Sequence, residues 1–350
     1  MNGMLSELAR NRFAAFHDHI ERTDPRGRWL ILTHDNPDPD ALTAATVLAK
    51  VLRSGFGRRA TPAYRGIIGR AENQEMVRSL GLRFSQARRL EPESHRYVAL
   101  VDCQPATGNN PLPDDLAPEV VIDHHPRRQR TSASPFHDLR NNYAATATIV
   151  AEYLLAAGIP ATRREATAIV YAIRSETLDF SRGADEADRL IHDHFNARAL
   201  PRLLGRIQNP SLPLNYFETL REALANLRGV DTLVMSRLGA VAQPDIVPEI
   251  ADLLLRMEGR TWSLCSGLYE DRIYCSIRTT NPRAEASRVM RRLVGRRGRG
   301  GGHGMIAGGW LPAAGGGGTE AVSRQQDRLE ARFATILRKN PGRIAPLADD

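Results

Sequence analysis

The stretch ILTHDNPDPDAL, residues 31–42, places a histidine and three aspartates within seven positions, directly after an apolar run. Pro37 and Pro39 keep this cluster out of the middle of a helix or a central strand, because proline lacks the backbone donor that both require. The run before it, WLILT at 29–33, has the composition of a strand buried on both faces of a parallel sheet. The sequence therefore predicts a buried strand that ends in concentrated negative charge.

Two further apolar runs in the first half of the chain end in the same way. YVALVD at 97–102 and EVVID at 119–123 each finish on an aspartate, and the second is followed by His124 and His125. Helical patterns lie between and after these strands, at 41–53, 71–80, 144–157 and 163–174. This alternation predicts an α/β fold with a doubly wound, mostly parallel sheet.

The second half of the chain predicts a smaller α/β unit. Strand patterns lie at 231–237, 262–268 and 272–278, and helix patterns lie at 244–257, 284–294 and 319–338. A glycine-rich stretch, predicted to be a loop, runs from 295 to 318. We therefore predict a first domain at 1–190, a helical linker at 191–225 and a second domain at 226–350.

The acids and histidines at the strand ends are expected to meet in space. Ligands of open parallel sheets gather at the carboxyl ends of the strands. Taken singly, an aspartate such as Asp40 or Asp102 could merely cap the following helix. Taken together, crowded carboxylates repel one another, and divalent cations remove that repulsion. Oxygen and imidazole ligands suit manganese or magnesium, and the number of acids indicates a site for two ions.

Three short motifs carry a resemblance to a known family. HDNPDPDA, VALVDCQP and VVIDHHP resemble, in this order, the first three motifs of the DHH phosphoesterases. That family includes single-strand exonucleases, oligoribonucleotide and adenosine-bisphosphate hydrolases, cyclic-dinucleotide phosphodiesterases and family II pyrophosphatases. The resemblance extends over nearly the whole chain. It implies a catalytic metal-binding domain, a DHH-associated substrate-binding domain and an active site in the cleft between the two.

The resemblance also implies a role for each residue of the motifs. His34 and Asp38 would hold one cation, and Asp40 and His124 would hold the other. Asp102 would bridge the two cations. Manganese is the first expectation for both ions and magnesium the second.

Other positions would complete this centre. The resemblance implies that His125 faces the substrate phosphate and that Asp123 orients a histidine by a hydrogen bond. The fourth family motif aligns with SETLDF at 175–180, which puts Glu176 where the family has an aspartate. Asp179 is the alternative ligand. A degenerate motif that binds its metal weakly is the third reading.

A histidine within a glycine run suggests a second contact with substrate. GRGGGHGMIAGGW at 298–310 matches the family's C-terminal G-G-G-H signature, which implies that Gly301, Gly302 and His303 contact substrate. Without that match, a glycine run is equally typical of a flexible linker. Arg278 aligns with a family arginine that grips a substrate phosphate, for which the guanidinium group is well suited.

Basic residues favour anionic ligands only mildly. The formal net charge is +8, but all except two of the 48 basic residues are arginines, a bias that genomic base composition can produce. Five of them precede the glycine run: Arg291, Arg292, Arg296, Arg297 and Arg299. They are either a solvated helix end or a track for a nucleotide backbone. Aromatic residues make up only 6% of the chain, which favours a short substrate over a long stacked strand.

The expected activity is metal-dependent hydrolysis of short oligonucleotides or nucleoside bisphosphates. A linear or cyclic dinucleotide phosphodiesterase and a catalytically impaired nucleotide-binding protein are the alternatives, and a homodimer is left open. The N-terminal segment has the pattern of an amphipathic helix rather than a signal peptide, and no apolar run reaches membrane-spanning length. Three cysteines without paired spacing are typical of the reducing cytoplasm.

Overall fold

The computed structural model describes residues 5–87, 95–181 and 183–347. The chain divides into two compact units, Met1–Pro210 and Ser211–Asp350, which we call unit 1 and unit 2. In the described part of the chain, no helix combines the length and the apolar character needed to span a lipid bilayer.

The described residues of unit 1 form seven α-helices and six strands. The helices are α1 Glu7–Glu21, α2 Pro39–Phe56, α3 Ala71–Leu80, α4 Thr146–Ala156, α5 Arg163–Thr177, α6 Glu186–Asn196 and α7 Pro201–Gln208. The strands are β1 Trp29–Leu32, β2 Ala60–Tyr64, β3 Ser85–Gln86, β4 Tyr97–Val101, β5 Val120–Asp123 and β6 Phe136–Leu139.

The six strands of unit 1 form one parallel sheet in the order β3-β2-β1-β4-β5-β6. The predicted doubly wound parallel sheet is therefore confirmed. After β1, the chain adds β2 and β3 on one side of β1, and it then crosses over to add β4, β5 and β6 on the other side. The carboxyl ends of β1 and β4 thus flank the point at which the strand order reverses, where open α/β sheets bind their ligands.

Helix α2 begins at the acidic cluster because the local sequence caps it there. Asp38 Oδ1 accepts a hydrogen bond from the Ala41 backbone N–H at 3.0 Å, and Pro39 occupies the first helical turn. Gly57 ends the helix with a φ of 66°. The prolines that exclude a central strand are thus part of a helix start, and this start fixes Asp38 and Asp40 beside the end of β1.

The core of unit 1 lies on both faces of its sheet. The largest cluster packs alternate residues of the central strands against α2, α4 and α5, and includes Ile31, Leu48, Ile149 and Ile169. A smaller cluster on the opposite face contains Leu30, Leu32, Leu100 and Val121. Both faces of β1 and β5 are buried, which explains their continuous apolar sequences.

Unit 2, over its described part, contains four α-helices and seven strands. The helices are α8 Leu214–Ala225, α9 Ile246–Leu255, α10 Ala286–Val294 and α11 Thr319–Ile336. The strands are β7 Arg228–Val230, β8 Leu233–Ala240, β9 Trp262–Tyr269, β10 Arg272–Thr279, β11 Arg299–His303, β12 Ile306–Pro312 and β13 Ala345–Pro346. Their order in the sheet is β11-β12-β10-β9-β8-β7-β13, and β8 and β9 are parallel while the other pairs are antiparallel.

The glycine-rich stretch is folded differently from the predicted loop. Most of it forms the antiparallel hairpin β11–β12, in which Gly300 pairs with Gly309 and Gly301 pairs with Gly308. The reason is packing against α10, because a Cβ on Gly309 would lie only 2.8 Å from the Met290 sulfur. Glycine is needed there for close approach rather than for flexibility.

The segment predicted as a linker, 191–225, holds the end of α6 and all of α7 and α8. Helix α7 packs against α3 and α5 within unit 1, and α8 packs against β8 within unit 2.

Candidate metal centre

Three neighbouring strands of unit 1 end in residues that can bind metal. His34 follows β1, Asp102 follows β4, and β5 ends at Asp123 with His124 directly after it. Asp102 has a φ of 56°, a left-handed conformation that turns the chain sharply at the strand end. It is 3% exposed and lies among side chains from all three strand ends. The sheet therefore gathers these residues at one edge.

The first group of candidate ligands consists of His34, Asp38 and Asp102, whose ligand atoms all lie within 4.8 Å of one another. His34 Nε2 is 3.7 Å from Asp38 Oδ2 and 3.5 Å from Asp102 Oδ2. The other ring nitrogen, Nδ1, lies 2.8 Å from the Asp35 carbonyl oxygen, which fixes the ring with Nε2 toward the carboxylates. Burial raises the pKa of Asp38, but the hydrogen bonds from His34 and the Ala41 backbone, together with the charge of His34, outweigh burial and hold that pKa well below its usual range.

A second group lies on the other side of Asp102. His124 Nε2 is 3.4 Å from Asp102 Oδ1 and 3.9 Å from Asp40 Oδ2. Its Nδ1 lies 3.2 Å from the Tyr143 carbonyl oxygen, so the backbone of Tyr143 orients this ring. The two oxygens of Asp102 thus face different histidines, as a carboxylate between two cations would.

His125 and Asp123 form a pair next to this second group. His125 Nδ1 lies 2.9 Å from Asp123 Oδ1 and 3.6 Å from Asp102 Oδ1. Gln104 Nε2 donates to Asp123 Oδ2 at 2.6 Å and holds that carboxylate in place. Burial lowers the pKa of His125, but the hydrogen bond to Asp123 and the charge of Asp102 raise it to about 9. Asp102, His124 and His125 also satisfy the distances of a metal-binding group.

Asp40 is completely buried and bound to a helix N-terminus. Its two oxygens accept hydrogen bonds from the backbone N–H groups of Thr146 at 2.8 Å and Ala147 at 2.6 Å, the first residues of α4. Burial and the nearby charges of Asp102 and Glu176 raise its pKa well above the ordinary value. Such crowding of buried acids is unfavourable, and bound cations would relieve it. The donor set therefore fits divalent metal ions.

The two candidates for the fourth motif lie in different surroundings. Glu176, half-buried on α5, is close enough for its negative charge to raise the pKa of both Asp40 and His125. Asp179 follows the end of α5 with a φ of 52°, is exposed, and forms an ion pair with Arg174. The structure thus brings Glu176 to the acidic cluster and directs Asp179 to an arginine.

A buried ionic network lies behind His124, and sequence reasoning missed it. Arg140 donates to both oxygens of Asp138 and forms an ion pair with Glu152. The Tyr143 hydroxyl donates to Glu152 at 3.0 Å, and the Tyr153 hydroxyl donates to Asp138 at 2.8 Å. Because this network holds Tyr143, it also positions the carbonyl that contacts His124. The only signal in the sequence was a set of charges within otherwise apolar segments.

The predicted substrate-binding residues of unit 2 lie at one end of its sheet. Arg278 near the end of β10 pairs in register with Ile306 of β12, which in turn pairs with His303. Arg278 is 6% exposed, and its Nε lies 2.5 Å from Asp252 Oδ1. In this structure its guanidinium group is thus held by a carboxylate of α9.

The glycines of the predicted signature differ from each other in their constraints. Gly301 has open space where a Cβ would stand. Gly302 has a φ of 139°, and a Cβ there would lie 2.3 Å from the Ile306 carbonyl oxygen, so only glycine fits. The backbone of His303 belongs to β11, and its side chain lies outside the described part of the structure.

Comparison with known protein families identifies two domains in the chain. The model of the DHH family N-terminal domain matches residues 28–173, and that of the DHHA1 domain matches residues 231–335. The chain thus contains a DHH domain and a DHHA1 domain. The first match contains all three strand ends of the candidate metal centre, and the second contains the glycine-rich hairpin.

Two curated relatives are similar in sequence. An uncharacterised protein of Methanocaldococcus jannaschii is 32% identical over 84% of this chain and 60% of its own length. A probable manganese-dependent inorganic pyrophosphatase of Deinococcus radiodurans is 30% identical over 43% of this chain and 47% of its own length. The chain thus spans about half to three fifths of these relatives.

Solved structures agree with the fold. An exopolyphosphatase-related protein from Bacteroides fragilis has a TM-score of 0.72 and 16% identity, over 96% of this chain and 100% of that one. The exonuclease RecJ bound to manganese has a TM-score of 0.52 and 16% identity, over 97% of both chains. At this level of identity the likeness concerns the fold alone.

Proposed function

We propose that the chain is a metal-dependent phosphoesterase acting on short oligonucleotides or nucleoside bisphosphates. One observation carries this proposal: the Asp102 carboxylate lies 3.5 Å from His34, 3.4 Å from His124 and 3.6 Å from His125. A buried carboxylate among three imidazoles, with further carboxylates beside them, is an arrangement suited to binding cations for phosphoryl chemistry.

Two manganese ions are our first choice of cofactor, with magnesium as the second. His34 and Asp38 would hold one ion, Asp40, His124 and Glu176 would hold the other, and Asp102 would contact both. When bound, such ions supply Lewis acidity and lower the pKa of a water molecule. The chain's own contribution is to fix the ligands, since Asp35 and Tyr143 orient the histidine rings through their carbonyl oxygens.

His125 is proposed to bind the phosphate of the substrate. Asp123 accepts from its Nδ1, which leaves Nε2 to donate to a phosphate oxygen. The hydrogen bond to Asp123 helps to raise the pKa of this imidazole to about 9, and a positive charge on the ring would stabilise negative charge on the phosphate. Arg278, Gly301, Gly302 and His303 remain proposed substrate contacts.

The low aromatic content of 6% supports a short substrate over a long stacked strand. A linear or cyclic dinucleotide is the nearest alternative. The substitution of Glu176 for the family's aspartate supports the second alternative, a protein that binds nucleotides but turns them over poorly. The similarity to a probable inorganic pyrophosphatase adds phosphoanhydride hydrolysis to the reactions to be tested.

Three buried free cysteines are consistent with the proposed cytoplasmic location.

Manganese titration followed by a substrate panel tests the proposal. The panel contains adenosine 3′,5′-bisphosphate, linear and cyclic dinucleotides, short oligoribonucleotides and inorganic pyrophosphate. We expect release of phosphate or mononucleotide from the bisphosphate or from the short oligonucleotides, dependent on added manganese and lost with excess chelator. Hydrolysis that persists in chelator contradicts the proposal. Faster hydrolysis of pyrophosphate than of any phosphoester would instead assign phosphoanhydride hydrolysis to the site.

A further inference from the structure

A cavity of about 650 Å³ in unit 2 is lined by five arginines. Two of them, Arg296 and Arg297, follow α10, and the other three lie on α11: Arg324, Arg328 and Arg332. All five side chains are exposed, whereas Leu293, Leu311 and Leu329 line the same cavity and are buried. The cavity therefore combines an apolar interior with a positively charged rim.

The α11 arginines share one face of their helix. They follow one another at intervals of four residues, a spacing that brings side chains of successive turns together. The guanidinium group of Arg332 also lies beside Gly295, where an added Cβ would be 3.3 Å from its Nη1. Positions on separate segments of the chain thus direct their charges toward one opening.

These charges have little internal compensation. Arg324 forms an ion pair with the exposed Glu320, their atoms 2.7 Å apart. Within the described ranges, none of the other four arginines has a carboxylate within ion-pairing distance, and no acidic residue lines the cavity. Like charges four residues apart on a helix destabilise it, and a bound anion would remove that repulsion. The cluster is therefore suited to an anionic ligand.

The cavity is distinct from the predicted substrate contacts of unit 2. Arg278 and His303 both lie beside Ile306, at the start of β12. Leu311, which lines the cavity, is five residues further along the same strand. At a rise of about 3.4 Å per residue, this is a separation of roughly 17 Å. One phosphate cannot contact both places.

We propose that this cavity is a second ligand site that binds a nucleotide-sized organic phosphate. Its volume lies within the range of about 300–1,000 Å³ typical of small-molecule sites. The leucines would contact the apolar body of the ligand. The arginines around the rim would each donate two parallel hydrogen bonds to its phosphates. None of the described residues that line the cavity is aromatic, so a stacked single strand of nucleic acid is not the favoured occupant.

Calorimetric titration of the full chain with ATP tests this site. The titrations contain excess chelator, so that hydrolysis at the metal centre does not contribute. We expect the variant Arg328→Ala/Arg332→Ala to bind ATP at least tenfold more weakly than the unmodified chain. The control Arg291→Ala/Arg292→Ala removes two exposed arginines of α10 that do not line the cavity, and it should change affinity less than twofold.

Two further probes separate the ligand classes. Pyrophosphate has the charge but no apolar body, and we expect it to bind at least tenfold more weakly than ATP. A single-stranded oligonucleotide that binds tighter than ATP would overturn the proposal in favour of nucleic acid. The absence of ATP binding, or equal losses in both double variants, would overturn it as well.

A conservative variant tests the proposal even if Arg328→Ala/Arg332→Ala does not fold. Arg328→Lys/Arg332→Lys keeps the charge and removes the planar, two-pronged donors. We expect it to unfold at the temperature of the unmodified chain and to bind ATP threefold to tenfold more weakly. Unchanged affinity would contradict the proposed recognition of phosphate by arginine.

Discussion

Unit 1 and unit 2 each contain a cluster of like-charged side chains, but the acidic cluster of unit 1 is largely buried and the arginine cluster of unit 2 is exposed. Two central acids of unit 1, Asp40 and Asp102, are buried at 0% and 3% exposure, and their oxygens accept hydrogen bonds from the start of α4. The arginines around the cavity of unit 2 are exposed, and within the described chain only Arg324 has an acidic partner.

This difference follows from the cost of removing charge from water. A buried carboxylate requires hydrogen bonds and counter-charge, so its surroundings must be built around it. An exposed guanidinium group remains solvated and needs neither, so a cluster of such groups does not by itself contribute to folding. The acidic centre should therefore be sensitive to single changes, whereas the arginine rim should tolerate them.

The largest effect is expected for Asp102→Asn. This change removes the charge that three histidines share, and we expect metal-dependent hydrolysis to fall by about four orders of magnitude, or ~5 kcal/mol of activation free energy. Initial rates at saturating manganese measure it. Asp179→Asn, at an exposed carboxylate, is the control. A loss below tenfold for Asp102→Asn would remove this residue from the centre of the site.

The buried network of unit 1 should show the next largest effect, on stability. Arg140→Met removes the buried cation that Asp138 and Glu152 share and leaves Asp138 only the half-exposed Arg12 at 3.8 Å. We expect the free energy of unfolding to fall by about 3–5 kcal/mol. Arg65→Met breaks the more exposed pair with Asp35 and should cost at most about 1 kcal/mol. Urea titrations measure both values. Equal losses would show that burial does not decide the contribution of these ion pairs.

The fourth motif is tested by a pair of substitutions on α5 and just after it. Glu176→Gln keeps the size of the side chain and removes the charge that acts on Asp40, so we expect activity to fall about a hundredfold, or ~2.7 kcal/mol. Asp179→Asn should reduce it less than twofold, because that carboxylate pairs with Arg174. The reverse ranking would assign the ligand to Asp179.

The smallest effect is expected at the arginine rim. Arg328→Ala/Arg332→Ala should change the free energy of unfolding by no more than about 0.5 kcal/mol, because both side chains are solvated and unpaired with acids in the described structure. The measurement is the same urea titration. A loss above 1.5 kcal/mol would mean that these arginines serve the fold, and the comparison between the two units would fail.

The sequence predicts most of the central elements but not the weaker strands. Strands β1 and β4, and β5 as far as Ile122, have continuous apolar sequences because the sheet is covered on both faces. Strand β2 contains Pro62 and β6 contains His137 and Asp138, so neither has an apolar or alternating pattern. Their pairing with stronger neighbours decides their structure. The β11–β12 hairpin was predicted as a loop because glycine is typical of loops, and close packing on α10 is not visible in the sequence.

The acids and histidines of the site could be predicted because strand ends and motif spacing place them at one sheet edge. The contacts that hold these residues in place could not be predicted. Tyr143 acts through its carbonyl, Thr146 through its backbone and hydroxyl groups, and Arg140 through partners that are distant from the motifs. None of these contacts leaves a pattern in the sequence. The arginine cavity is not predicted for a related reason, since α11 contributes three of its arginines and the sequence pattern draws attention only to the arginines at 291–299.

The most direct test of the account is anomalous diffraction from crystals soaked in manganese, recorded at the manganese absorption edge. The account predicts two peaks on either side of the Asp102 carboxylate, one beside His34 and Asp38 and the other beside Asp40 and His124. The same crystals of Asp102→Asn should lose at least one peak. Manganese bound elsewhere, with no anomalous density at these residues, would contradict the claim that the strand ends of unit 1 form a metal centre.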